Sequence, residues 1–178
     1  PITQYLVVSS PGIHSILTSD TSATITGLTN GIAYSFTVTA ENATGTGAPS
    51  SASGAVTPFT VPDAPLNVTA IASNGQAAVS WDAPSSTGGS PITHYSVVSS
   101  PSSSPDDHIV VTGTHADTAT TITGLTNGVS YSFTVTATNA AGSGSPSSPS
   151  GTVTTFAVPG APDNVAVVEG FTGDGQTT

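Results

Sequence analysis

The sequence contains no lysine, arginine, cysteine or methionine. Without Cys there is no disulfide framework, no thiol nucleophile and no thiolate ligand for zinc, and without Met little else oxidises readily. Without Lys or Arg there is no salt bridge to either, no Lys–Asn isopeptide cross-link and no Arg-Gly-Asp loop. The basic patch that nucleic acid or an anionic membrane would demand is also excluded. Charged residues make up only 6% of the chain, all ten of them acidic, for a formal net charge of −10. Dense surface acid, the mark of adaptation to high salt, is missing too, so Ser and Thr hydroxyls must solvate the outside. No apolar run reaches the roughly 18 residues of a bilayer span, and Pro1 to Val8 lack the positive flank of a signal peptide. The chain opens on Pro rather than Met, which reads as a window within a longer polypeptide.

What is present is a repeat. Residues 24–65 match residues 121–162 at a spacing of 97, with 31 of 42 positions identical. The opening PITQYLVVSSP at Pro1 matches PITHYSVVSSP at Pro91 at a spacing of 90, which puts seven extra residues of the second copy in a loop near Ser102 to His108. A period near 97 residues is too long for a solenoid unit and suits one sandwich domain. Within a copy the apolar residues recur at every second position, as in Tyr131, Phe133, Val135 and Ala137, so one face of each strand is core and the other wet. Short runs at residues 68–71, 77–81, 92–98, 109–111, 120–122 and 152–156, bounded by Gly, Pro, Asn or Ser, complete a set of seven strands. No segment carries an apolar stripe of helical period.

VPDAP at Val61, VPGAP at Val158, Trp81, GGSPITHY at Gly88, Leu125 six residues before Tyr131, and TATNAAGSG at Thr136 together resemble tandem fibronectin type III domains of the bacterial kind. The resemblance covers essentially the whole chain. It implies an all-β architecture of tandem immunoglobulin-like, seven-stranded antiparallel β-sandwiches. By the same likeness, Leu125 with Tyr131 forms a tyrosine corner, Leu28 with Tyr34 repeats it, and Trp81 packs under the corner side of a core that includes Tyr95. The family carries no catalytic residues to transfer. On this frame residues 1–58 are a partial domain from its third strand onward, 59–157 a complete domain, and 158–178 the first strand of a further one. The internal cut has two readings: simple truncation, or a tail that completes the head of another copy by strand complementation.

Chemistry-bearing residues are sparse. His14, His94, His108 and His115 are the only side chains that titrate near neutrality. Asp106, Asp107 and His108 with His115 lack the alternating spacing and Gly turn of a calcium loop, so they are read as solvated loop residues. The two acids are the only adjacent pair, and neighbours on a strand face opposite ways, which suits them poorly to acid–base work. Ser is too abundant for any Ser, His and Asp coincidence to signal a triad. No enzyme activity, metal or cofactor is expected. Asn42-Ala43-Thr44 and Asn67-Val68-Thr69 are N-glycosylation acceptors in a glycosylating host, and the Ser-rich stretches 99–104 and 143–150 are candidates for O-glycans. The proline-bearing links TPFTVPDAP and TTFAVPGAP predict stiff joints and an extended rod. These features favour a non-catalytic structural or adhesive module of an extracellular or cell-surface repeat protein, acting as a spacer, stalk or filament subunit. Its expected partners are neighbouring repeats, other copies of the chain and, in the alternative of an accessory module of a polysaccharide hydrolase, polysaccharide. A sugar platform would need a row of exposed aromatics, and the candidates are only Tyr5, Tyr95 and Phe171, the first two read as core.

Overall fold

The computed structural model describes residues 1–102, 108–112 and 116–163. The described residues hold twelve strands and no helix: β1 (Ile2–Ser10), β2 (Ser15–Thr18), β3 (Ser35–Asn42), β4 (Gly45–Thr46), β5 (Leu66–Ser73), β6 (Gln76–Asp82), β7 (His94–Ser100), β8 (His108–Thr112), β9 (Ala119–Thr123), β10 (Ser130–Asn139), β11 (Gly142–Ser143) and β12 (Val153–Thr154). All pairings are antiparallel. In the second copy β5, β6 and β9 form one sheet in that order, and β11, β10, β7 and β8 form the facing sheet, with β12 also on β10.

Period-two alternation decides which side chains meet between these sheets. β6 contributes Ala77, Val79 and Trp81, β9 Ile122, β7 Tyr95 and Val97, and β10 Tyr131, Phe133, Val135 and Ala137, all buried. Leu125 and Ile92 close the ends of this core, and Val68, Ala70, Val129 and Val153 pack around it. The outward positions of β10 are Ser and Thr, so the strand carries core on one side and hydroxyls on the other.

The first copy forms a four-stranded sheet in the order β2, β1, β3, β4. Its inner positions match those of β10, yet Val38 is 39% exposed where its counterpart Val135 is fully buried. The difference lies in the facing layer, because the first copy has no counterpart of β5 and β6 within residues 1–56. The effect reaches secondary structure. Residues 22–26 correspond to β9 and keep its Thr-Ile-Thr, but form no strand, since the ladder that makes β9 a strand runs to β6.

The last strand of the second copy departs from the sequence expectation of residues 152–156. It is broken into β11 and β12, because Pro146 and Pro149 cannot donate to a ladder. Serine hydroxyls replace the missing partners: Val135 N–H donates to Ser147 Oγ and Phe133 N–H to Ser150 Oγ, both at 3.0 Å. The first copy repeats this with Val38 N–H to Ser50 Oγ and Phe36 N–H to Ser53 Oγ. Ser147 and Ser150 are buried, which removes them as carriers of O-glycans.

Candidate functional site

Both tyrosines that the resemblance places in a corner bond through their hydroxyls to the backbone five residues before them. Tyr131 is enclosed between the sheets and its hydroxyl accepts the Thr126 N–H at 3.1 Å; Tyr34 is buried and does the same for Thr29 N–H at 3.1 Å. Leu125 is buried, whereas Leu28 is only half-buried on the open first copy. Trp81 lies edge-on to Tyr95, with ring centroids 5.3 Å apart at 61°, and Tyr131 stacks on Phe133. Burial pushes the Tyr95 phenol above its ordinary range; the neighbouring Trp81 indole opposes this, and the charge of Asp117 adds to it.

Among the described residues the acids and histidines do not converge on a reactive centre. Asp63 accepts from Ser85 Oγ at 2.7 Å, Asp82 from Asn67 Nδ2 at 2.7 Å and Glu41 from Gln4 Nε2 at 2.6 Å, each a neutral partner at or near the surface. The His14 ring stands edge-on to Tyr34, 6.1 Å between centroids, and the His94 ring meets Thr93 Oγ1 at 3.2 Å. Among the described residues no group of three or more His, Cys, Asp or Glu stands where it could hold a metal ion. Asp106, Asp107, His115 and Phe171, and the side chain of His108, lie outside the described residues. Asn42 and Asn67 are both exposed; Asn42 Oδ1 accepts from Thr44 and Gly45 N–H, and Asn67 sits at φ +50°. Of the aromatics weighed for sugar contact, Tyr5 is half-buried and Tyr95 fully buried. Phe59 and Phe156, which sequence reasoning passed over for that role, are 50% and 55% exposed at matching places in the two copies.

The strongest departure from an ordinary loop is the link between the copies. Gly31 N–H of the first copy donates to Pro58 O at 2.9 Å. Two residues on, Thr60 N–H donates to Gly88 O of the second copy at 2.8 Å, and Asp63 N–H to Ser86 O at 3.0 Å. The link is held from both sides. The first of these bonds recurs 97 residues later, where Gly128 N–H donates to Thr155 O at 2.7 Å. The sequence signalled stiffness through the prolines, but the bonds involve backbone atoms that no residue type marks.

Comparison with known proteins fits this picture. The model of the fibronectin type III domain matches residues 1–56 and 63–153. Chitinase A1 of Niallia circulans is 37% identical over 166 residues, covering 88% of this chain and 22% of that protein. Human Myomesin-2 is 36% identical over 128 residues, covering 70% of this chain and 9% of that protein. The chain therefore spans a small part of either relative. A crystal structure of titin domains, 24% identical, superposes with a TM-score of 0.54 over 87% of this chain and 55% of that one, a likeness of fold.

Proposed function

The chain belongs to the fibronectin type III family, and from that premise we propose that it is a non-catalytic module of an extracellular repeat protein, a rigid spacer, stalk or filament subunit that holds flanking parts at a set distance. The observation that carries this is the link bonded from both sides, Gly31 N–H to Pro58 O and Thr60 N–H to Gly88 O. A chain meant to let its parts tumble would join them through unbonded Gly and Ser. The hydroxyl-rich surface without Lys or Arg supports an exposed location, since it presents no cleavage site for trypsin-like proteases.

A second reading is an accessory spacer in a secreted polysaccharide hydrolase, favoured by the 37% identity to Chitinase A1 over 88% of this chain. Small-angle scattering and a chitin pull-down of the same chain test the two together. An extended particle that stays in the supernatant is expected of a spacer in either setting. Retention on chitin would make sugar contact part of the function, and a compact or broadly distributed particle would sink the spacer.

A further inference from the structure

The link is bonded by more than its own backbone. Asn139, buried at the end of β10, donates from Nδ2 to Thr60 O and to Thr87 O, each at 2.7 Å, while its Oδ1 accepts Ala141 N–H at 2.8 Å. One side chain thereby ties the link to the turn at residues 87–89. The same turn is the seat of the first copy. A Cβ on Gly89 would lie 2.3 Å from Gly31 N and 2.7 Å from Asn30 C, and one on Gly88 would lie 2.2 Å from Thr60 O. Gly144 closes the other side, with Pro62 O 2.2 Å from where its Cβ would stand. Backbone thus meets backbone at three glycines, and no side chain intervenes to yield. Between Pro58, bonded to the first copy, and Thr60, bonded to the second, only Phe59 carries none of these bonds.

We infer that the joint is locked, with the Gly88–Gly89 turn as the seat for the Asn30–Gly31 turn and Asn139 as the clamp on the link. The inference deepens the spacer reading and rests on it, since a lock matters only where stiffness is the task. The parts are spread through both copies: Asn42 and Gly47 occupy the places of Asn139 and Gly144, and Gly128 the place of Gly31.

The native chain has no Cys, so spin labels at Ser51→Cys and Ala78→Cys report the inter-repeat distance by double electron–electron resonance. A single narrow distribution is expected for the labelled chain, and Gly89→Ala should abolish it. Gly128→Ala is the strain control, because it has nearly the same positive φ, +83° against +88°, with open space around its Cβ position; it should leave the peak narrow. Asn139→Asp keeps an oxygen for Ala141 N–H but sets a carboxylate against two carbonyls, and it too should lose the narrow peak. It decides the matter if Gly89→Ala does not fold. A peak that stays narrow in both joint variants overturns the lock and leaves the spacer standing. A broad distribution in the labelled chain itself overturns both.

Discussion

Trp81 is nearly enclosed, its edge against Tyr95, so truncating it opens a cavity at the middle of the second core. Loss of a buried Trp costs about 3–5 kcal/mol, against a total of about 5–15 kcal/mol for a domain. Trp81→Ala should leave the second repeat unfolded or close to it at ambient temperature, and an unchanged melting curve would place the ring outside the core. Tyr95 gives a pH signature. Its phenol is harder to ionise folded than unfolded, so its contribution is complete below the unfolded value of 10.0 and declines as pH rises through the folded one. The melting temperature should therefore fall more steeply above pH 10 in the native chain than in Tyr95→Phe. The serine hydroxyls give a paired comparison. Ser147→Ala strands the buried Val135 N–H, a loss of about 1–3 kcal/mol, whereas Ser50→Ala bares an exposed Val38 N–H that water satisfies. Urea titration should show a lower midpoint for the first and little change for the second.

At the scale of the element, the stretches at residues 22–26 and 119–123, which share Thr-Ile-Thr, differ in structure because only one has a neighbouring strand to pair with. Strand formation here is a property of the ladder, with local propensity as its precondition. Alternate amides of β9 that face β6 should exchange slowly with deuterium while their counterparts in residues 22–26 exchange fast; equal rates would show that the stretch is a strand by itself. The contrast also marks what was legible in the sequence. Tyr131, Phe133, Val135 and Ala137 announce a half-buried strand by alternation alone, while the corner at Leu125 and Tyr131 was legible only through the family resemblance. The broken last strand was less visible. Pro146 and Pro149 flag a break, but that Ser147 and Ser150 would take its place in the ladder depends on the facing strand 12 to 17 residues earlier. The joint was visible only as prolines, since most of its contacts are carbonyls, amides and glycine Cα atoms, and the one side chain among them, Asn139, reaches carbonyls 79 and 52 residues away.

For the whole molecule, stiffness and neutrality act together. With no Lys or Arg to pair, surface order comes from hydroxyl and amide hydrogen bonds such as Thr69 to Ser80 and Ser130 to Thr154, which salt does not screen. The melting temperature should accordingly change little between low and physiological ionic strength, and a steep dependence would show that the acids repel one another across the surface. One consequence of the turn geometry concerns ageing. The described residues hold three Asn-Gly pairs, the sequence most prone to deamidation, in which the glycine nitrogen attacks the asparagine side chain to close a succinimide. In all three that nitrogen is engaged as a donor: Gly31 to Pro58 O, Gly75 to Asn127 Oδ1 and Gly128 to Thr155 O. The bonds that shape the turns also withhold the nucleophile, so these three Asn-Gly pairs should deamidate more slowly in the folded chain than in the unfolded one.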